Sequence, residues 1–435
     1  MKQYYSGLKI IAFLFIFHCL TLVAQAQENA VPTKARIQKK GAGFSLVVNE
    51  QPYFIKGAVG SDYLEKLKAY GGNSIRTGSK KEVLDKAHSL GLTALVGLPV
   101  RAERDGMDYD DTAAVRLQHQ KVMEIVRSTK NHPAVIMWAL GNELDFIEAN
   151  VKLHYNTKVW DAVNALSKEI HALDPHHPVM TVVGSISKEK IDYLLRLAPD
   201  IDLLGVNEYG DLLDVPTWLK QFGWKKPYAV TEWGPTGFWQ VPKTAWKVPI
   251  EETSSMKAAK YKERYEKSIA ADRACIGSYV FLWRQHQERT HTWFGMFDAA
   301  GRETEAVDVM HYKWKEAWPV NRSPRLDSAK IENLTAYQNV YLQKGRSYSG
   351  QVWATDPDRD EMKYAWEILP EGTKFPYGGG GEKKPGAING LISDGKKNRI
   401  SFRSPEKEGA YRLFVYVYDG KGHWATANIP FYVQP

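Results

Sequence analysis

The chain has 435 residues, a formal net charge of +8, 14 tryptophans and only two cysteines. Its basic residues are spread along the sequence in pairs such as Lys39-Lys40 and Lys225-Lys226. Nucleic-acid-binding proteins concentrate Lys and Arg on one stripe or one helix, so this distribution argues against nucleic acid as a partner.

The amino terminus has the pattern of a secretory signal peptide. Lys2 and Lys9 precede or border an apolar run from Ile10 to Val23, and the small-residue triplet Ala24-Gln25-Ala26 follows. This arrangement predicts a signal peptide over residues 1–26 that is cleaved before Gln27. We therefore expect a secreted or periplasmic protein that has no membrane span and is a monomer.

The two cysteines bear on anchoring and on redox state. Cys19 lies inside the apolar run and follows His18, whose bulk fits poorly with a lipoprotein cleavage site, so soluble export is favoured over a lipid anchor. After cleavage Cys275 has no intramolecular partner, and its position in an apolar strand predicts a small core residue.

Strand-like and helix-like segments alternate after a hairpin at about residues 44–52, which predicts an α/β protein with a (β/α)8 barrel over residues 27–318. The predicted strands cover residues 53–57, 73–77, 94–99, 135–140, 179–183, 201–206, 228–231 and 276–282. The predicted helices cover residues 62–70, 81–90, 113–129, 156–173, 188–197 and 255–271. An open doubly wound sheet is the alternative, but no glycine-rich nucleotide loop follows the first strand.

Two of the predicted strands, the fourth and the seventh, end in a glutamate. Val135 to Leu140 leads into Gly141-Asn142-Glu143, and Pro227 to Thr231 leads into Glu232. Both carboxylates would open onto the carboxyl-terminal face of the barrel, where barrel active sites lie. Glycosidic bonds are cut by such a pair, in which one carboxyl protonates the leaving oxygen and the other attacks or activates water.

Further polar and aromatic residues occupy the ends of other strands. Asn142 can bind a sugar hydroxyl beside the reacting carbon, and Arg76 can keep a nearby carboxylate ionised. Tyr209 can donate its hydroxyl to the same carboxylate, and Trp283 offers a flat wall for a sugar ring. Any one of these residues alone would more often be structural, but together they converge on one cavity if the barrel forms.

The two glutamate motifs resemble those of the retaining glycoside hydrolases of clan A, and their residues are most similar to the motifs of the family 2 barrel. The segment Gly295-Met296-Phe297-Asp298 also resembles the end of those barrels, and the resemblance covers about residues 44–315. It implies Glu143 as acid/base and Glu232 as nucleophile, supported by Asn142, Arg76 and Tyr209, with no cofactor and no metal. A retaining mechanism implies carboxyl groups ~5–5.5 Å apart.

The domain order departs from that of family 2, which places two β domains before the barrel. Here a proline-bracketed stretch near residues 318–324 is followed by period-two strands, which predicts an immunoglobulin-like β-sandwich over residues 325–435. This order is similar to that of the endo-β-1,3-glucanases of family 158. The segment Asp356-Pro357-Asp358-Arg359-Asp360 would either bind calcium or form an ordinary turn.

The main functional hypothesis is a secreted retaining β-glycosidase that cleaves β-glucan internally, as an endo-β-1,3-glucanase. It rests on the aromatic residues in or after strands seven and eight, which exceed what one sugar subsite needs: Trp233, Phe238, Trp239, Trp283 and Trp293. The alternatives are a family 2-like exo-enzyme (galactosidase, glucuronidase or mannosidase), a β-1,3-glucanosyltransferase and a non-catalytic carbohydrate-binding protein. In each case the partner is a polysaccharide or oligosaccharide.

Overall fold

The computed structural model describes residues 32–146, 155–372 and 382–435, so the predicted signal peptide lies outside the described residues. A three-stranded antiparallel sheet comes first, formed by β1 (Ala35–Lys40), β2 (Gly43–Val48) and β3 (Gln51–Tyr53). Eight parallel strands then close into a barrel: β4 (Ile55–Val59), β5 (Ser74–Thr77), β6 (Thr93–Leu98), β7 (Val135–Leu140), β8 (Val179–Gly184), β9 (Leu203–Asn207), β10 (Tyr228–Trp233) and β11 (Cys275–Val280).

Helices connect the barrel strands and cover the outside of the barrel. They are α1 (Leu64–Ala69), α2 (Lys81–Ser89), α3 (Thr112–Thr129), α4 (Lys158–Leu173), α5 (Lys188–Leu197), α6 (Val215–Gln221), α7 (Ser254–Arg264) and α8 (Glu305–Lys315). Several begin at a side chain that accepts a backbone N–H, such as Asp111 for α3 and Ser187 for α5. None of the helices in the described ranges is long and apolar enough to cross a membrane.

The barrel strands separate an inner core from an outer one by simple alternation. Along β7, Met137 and Ala139 belong to the inner cluster, whereas Trp138 and Leu140 pack against the surrounding helices; Ile136, at a register shift against β6, also faces the inner cluster. The inner cluster also contains Leu46 of β2, so the amino-terminal sheet packs against the barrel interior. Alternation of this kind is expected for a strand that is buried on both faces.

The remaining strands form two four-stranded sheets. The first sheet has the order β12 (Arg325–Ile331), β14 (Ser347–Thr355), β17 (Arg399–Arg403) and β16 (Ile392–Ser393). The second has the order β13 (Val340–Gln343), β19 (Trp424–Gln434), β18 (Gly409–Tyr418) and β15 (Lys363–Pro370). Side chains of both sheets, such as Phe402 and Phe431, share one apolar cluster, as in a β-sandwich.

The predicted (β/α)8 barrel is confirmed, and each of its eight strands lies within a few residues of the predicted position. The strand-rich carboxyl-terminal region is compatible with the predicted sandwich, while its immunoglobulin-like character and the domain limits stay predictions. Five elements were not predicted: β1, α6, α8, β12 and β16. The strands among them are short, edge-positioned or rich in charge, and α6 is only seven residues long, so their periodicity is weak.

The barrel and the two sheets meet through buried charged groups. Arg412 of β18 is 2% exposed, pairs with Glu371 at 2.6 Å and donates to the Pro249 carbonyl of the barrel region at 2.8 Å. Glu371 also pairs with Arg289 at 3.1 Å, in the segment that follows β11. The carboxyl-terminal sheets are therefore tied to a segment at the carboxyl end of the barrel.

Candidate active site

Glu143 is presented by a tight turn at the end of β7. Gly141 has φ of +72°, and a β-carbon there would lie 2.6 Å from the Leu144 side chain, so this position requires glycine. Glu143 itself has φ of +48°, a conformation that costs a side-chain-bearing residue energy and is concentrated at functional sites. Its N–H donates to the Val182 carbonyl at 2.9 Å, which fixes the turn against β8.

Glu232 is presented by a β-bulge near the end of β10. Opposite β9, Val230 pairs with Val206 and Glu232 pairs with the very next residue, Asn207, so β10 holds one extra residue. A bulge redirects side chains next to it. Here it places Thr231, whose hydroxyl bonds Asn207, and Glu232 toward the site.

Two side chains hold the Glu232 carboxylate from either side. The Arg76 guanidinium donates to Oε1 at 2.7 Å and the Tyr209 hydroxyl donates to Oε2 at 3.3 Å. Burial, followed by the negative charge of Glu232, raises the pKa of Tyr209 well above its usual value, so the phenol keeps its proton and remains a donor. Arg76, Tyr209 and Glu232 thus come together as predicted from the sequence.

Asn142 and Glu143 join the same network through Arg76 and Asn207. Asn142 Oδ1 accepts from Arg76 Nη2 at 2.7 Å and from Asn207 Nδ2 at 3.0 Å. Asn207 Nδ2 also lies 2.9 Å from Glu143 Oε1. No described residue accepts a hydrogen bond from Asn142 Nδ2, so this amide is oriented to donate to a ligand.

Sequence reasoning missed two residues of the site. Asn207 ends β9 and stands two positions before Tyr209, so its strand-end position was the available signal. Arg104 lies in the loop after β6 and donates to the backbone carbonyls of Glu143 and Asn142, the latter at 3.0 Å. A long loop side chain that binds backbone carbonyls leaves no periodic pattern in a sequence.

The surroundings of Glu232 shift its pKa. Burial raises the pKa of Glu232 to about 7, the Arg76 guanidinium opposes this rise, and the nearby Glu143 charge adds to it. The hydrogen bonds that Arg76 and Tyr209 donate to Glu232 favour its ionised form.

The two predicted tryptophan platforms are not at the surface of the site. Trp233 is 0% exposed and packs against Tyr261, and Trp283 is 1% exposed and packs against Phe297. Both rings belong to the apolar cluster between the barrel strands and the surrounding helices. Their positions do not support the prediction that they bind substrate.

A different tryptophan lies exposed beside the site. Trp239 is 51% exposed, and its ring centroid lies 5.5 Å from that of Tyr209 in an edge-to-face arrangement. Trp293, in contrast, is 1% exposed. Of the five aromatic residues that suggested an extended cleft, Trp239 is the one with a large exposed surface, and Phe238 is partly buried against its neighbours.

The acidic segment of the carboxyl-terminal sheets has features of both a turn and an ion site. Asp356, Asp358 and Asp360 bring one carboxylate oxygen each within 4.8 Å of one another. Asp356 Oδ1, however, already accepts the N–H groups of Asp358 and Asp360 at 2.9 and 3.0 Å. These bonds explain the segment as an Asp-initiated turn, and calcium binding stays a prediction.

The closed barrel brings Glu143 and Glu232 together in one hydrogen-bonded network at its carboxyl end. Residues 83–247 match the family described as glycosyl hydrolases family 2, TIM barrel domain. The matched segment contains both Glu143 and Glu232, and the match agrees with the resemblance of their motifs to family 2 of clan A. The further resemblance to family 158 has no support from these comparisons.

Individual relatives agree with the family match. A beta-glucuronidase of Canis lupus familiaris is 30% identical over 148 residues, which are 33% of this chain and 20% of that protein. One of Paenibacillus borealis is 23% identical over 248 residues, which are 47% and 39% of the two chains. The structure of a Bacteroides uniformis beta-glucuronidase has a TM-score of 0.51 and 14% identity, covers 92% of this chain and 48% of that one, and bears on the fold alone.

Proposed function

We propose that the protein is a retaining β-glycosidase in which Glu232 is the nucleophile and Glu143 the acid/base. The observation that carries this proposal is the hydrogen-bonded network that holds both carboxyl groups at one end of the barrel. Arg76 links Glu232 to Asn142, and Asn207 links Asn142 to Glu143. The chain matches less than half the length of its curated relatives, so its activity is argued from this geometry first.

The contacts assign a role to each group in a double displacement. Glu232 attacks the anomeric carbon while Glu143 gives its proton to the departing oxygen, and the glycosyl–Glu232 ester forms as the glycosidic bond breaks. Glu143, now ionised, takes a proton from the water that cleaves the ester. Arg76 and Tyr209 hold Glu232 ionised, and the free Nδ2 of Asn142 donates to a hydroxyl of the bound sugar.

The burial of three aromatic residues weakens the case for several sugar subsites and leaves an exo-acting enzyme as the simpler proposal. Trp233, Trp283 and Trp293 are buried, so the argument for several stacking subsites loses most of its basis. The curated relatives are named beta-glucuronidases, which makes a β-glucuronide the first substrate to test. A uronate needs a cation, and Arg284, exposed just after β11, has no ion-pair partner among the described residues.

Internal cleavage of a β-1,3-glucan is the second candidate function. Trp239 favours it, because an exposed indole beside Tyr209 can stack on a sugar ring next to the reacting one. A β-1,3-glucanosyltransferase would use the same residues and differ only in whether a sugar or water resolves the ester.

A substrate panel tests the proposal. Purified protein is incubated with aryl β-glucuronide, β-galactoside, β-glucoside and β-mannoside and with laminarin, and the anomer of the first product is read by NMR. Retention of the anomeric configuration with an aryl glycoside supports the exo-acting enzyme. If Arg284→Gln lowers activity on the glucuronide but not on the other glycosides, the result supports a uronate as the bound sugar. An early ladder of oligosaccharides from laminarin would favour the endo-enzyme instead. Inversion, or no turnover of any β-glycoside, would refute the retaining mechanism.

A further inference from the structure

A second cluster of ionisable side chains lies where the barrel meets the carboxyl-terminal sheets, away from the paired glutamates. Glu303 and Asp308 come from the segment before α8 and from α8 itself, and His423 comes from the turn between β18 and β19. One carboxylate oxygen of each acid and a ring nitrogen of His423 lie within 4.8 Å of one another. Glu303 is 3% exposed and Asp308 is 1% exposed, so the cluster is buried.

Hydrogen bonds orient the histidine ring for coordination. His423 Nδ1 lies 3.1 Å from Asp419 Oδ2 and 2.8 Å from the amide nitrogen Asn321 Nδ2. Its Nε2 faces Glu303, whose Oε2 is 3.6 Å away. The ring is thus held from its Nδ1 side, with Nε2 turned toward the carboxylates of the cluster.

One oxygen of the cluster is unsatisfied. Asp308 Oδ2 accepts the Ser323 N–H at 2.7 Å, but Asp308 Oδ1 has no hydrogen-bond partner among the described residues. A buried carboxylate oxygen without a partner is costly. This oxygen is a second observation, independent of the clustering, that indicates a missing ligand.

The charges of the cluster also fail to balance. Glu303, Asp308 and Asp419 are acidic, and the cation that contacts them is Lys66, which donates to Glu303 together with the Tyr70 hydroxyl. Three carboxylates face one ammonium and the His423 imidazole, so acidic groups outnumber basic ones in the cluster. A bound divalent cation would offset this excess.

We propose that Glu303, Asp308 and His423 bind one divalent transition-metal ion, with zinc as the best match, and that this ion clips the carboxyl-terminal sheets to the barrel. One imidazole and two carboxylates are a donor set that suits zinc and is too nitrogen-rich for calcium or magnesium. Two ligands held ~2.1 Å from one ion at the tetrahedral angle lie about 3.4 Å apart. The Glu303–His423 distance of 3.6 Å is close to this value. The inference does not depend on the proposed glycosidase activity.

Metal analysis of the full chain tests the proposal. Protein is stripped with chelator, dialysed against zinc and then against buffer, and its metal content is measured by mass spectrometry. We expect about one zinc per chain, and a loss of most of it in His423→Gln and in Asp308→Asn. His291→Gln, a buried histidine elsewhere in the same contact, and Asp360→Asn, in the other acidic group, are matched controls that keep it.

A second measurement covers the case in which the variants do not fold. Zinc added to the stripped wild-type protein should raise Tm by about 5 °C or more, because the ion binds only the folded state, and calcium should not. Cobalt in place of zinc should give the visible absorption bands of a low-symmetry site. Wild-type protein that binds no stoichiometric zinc and shows no rise in Tm would overturn the proposal. Zinc retained by His423→Gln would overturn it as well.

Discussion

The mouth of the barrel and the contact between the barrel and the carboxyl-terminal sheets both bury charged side chains, but they pair them differently. In the contact, Arg412 and Glu371 meet through two hydrogen bonds, and Glu371 also pairs with Arg289. At the mouth, Arg76 is the guanidinium that meets the Glu232 carboxylate, while Glu143 adds a second acid nearby.

This difference separates two uses of buried charge. Around Glu371, two guanidiniums meet one carboxylate and hold two surfaces in one orientation, and removal of one partner leaves the buried charges poorly compensated. An excess of carboxylates over cations instead makes protonation easy to change, which an acid/base reaction requires. Mutations in the contact should therefore change the stability of the protein. Mutations at the mouth of the barrel should change the reaction rate and its dependence on pH.

The largest effect is expected from the two glutamates. Glu232→Gln removes the nucleophile, so turnover of every substrate should fall by about 10⁴-fold or more. Glu143→Ala removes only proton transfer and should spare aryl glycosides whose leaving group needs no proton, with azide restoring rate by capturing the ester. Steady-state kinetics on a matched set of aryl glycosides measures both.

A buried glutamate on the next strand end provides the control for those variants. Glu208 is 3% exposed and its carboxylate accepts the Tyr209 N–H, while its hydrogen bond with Glu232 joins backbone atoms, from the Glu208 N–H to the Glu232 carbonyl at 3.0 Å. Glu208→Gln should therefore cost far less rate than Glu232→Gln. Near-native turnover of an activated aryl glycoside by Glu232→Gln would show that the roles are misassigned.

The next effect concerns pH. Since the nucleophile must be ionised and its pKa is raised to about 7, kcat/KM should fall as pH drops through that value. Arg76→Met removes the positive charge that opposes the rise in the pKa of Glu232. The fall of kcat/KM on the acid side of the pH profile should therefore shift to a higher pH by about one unit or more. At neutral pH kcat/KM should also fall by about 10²–10³-fold.

The hydroxyl partner of Glu232 tests whether charge is the cause of that shift. Tyr209→Phe removes one hydrogen bond to Glu232 but no charge, so it should lower the rate and move the acid limb less than Arg76→Met does. Equal shifts in the two variants would argue against an electrostatic role for Arg76.

The sequence was sufficient for the barrel and for the centre of the site because both depend on strand ends. Apolar runs of strand length gave all eight barrel strands, and a parallel barrel brings their carboxyl ends to one face. Arg76, Asn142, Tyr209 and Glu232 follow from that rule, and the structure joins them by hydrogen bonds.

The direction of a side chain could not be predicted in the same way. Trp233 directly follows Glu232, and which of the two faces the site depends on a bulge that only the pairing of β9 and β10 shows. Arg104 and the pairing of Arg412 with Glu371 depend on contacts between segments distant in sequence. Periodicity within one segment contains no information about such contacts.

A mutation in the contact between the barrel and the carboxyl-terminal sheets should lower the stability of the protein. Arg412→Met leaves Glu371 buried with Arg289 as its remaining charged partner, and the free energy of unfolding should fall by about 3 kcal/mol. Arg403→Met is the matched control, because Arg403 pairs with Glu406 at the surface, where such a loss costs about 0.5 kcal/mol. Urea unfolding measures both, and equal losses would remove the distinction between the contact and an ordinary surface pair.

The smallest effect is expected at the edge of the mouth. Trp239 is 51% exposed and its ring contacts Tyr209, Phe238 and Phe294 from the edge of their cluster, so its truncation should lower Tm only slightly. If its ring stacks on a sugar, Trp239→Ala should raise KM about fivefold, which corresponds to roughly 1 kcal/mol, while Trp239→Phe should recover part of the loss. Trp353→Ala, at a tryptophan of β14 in the carboxyl-terminal sheets that is 40% exposed, is the control and should not change KM. A larger effect on laminarin than on an aryl glycoside would place the ring at a second sugar and favour the endo-enzyme. An equal effect on both would place it against the terminal sugar, and no effect on either would exclude it from substrate binding.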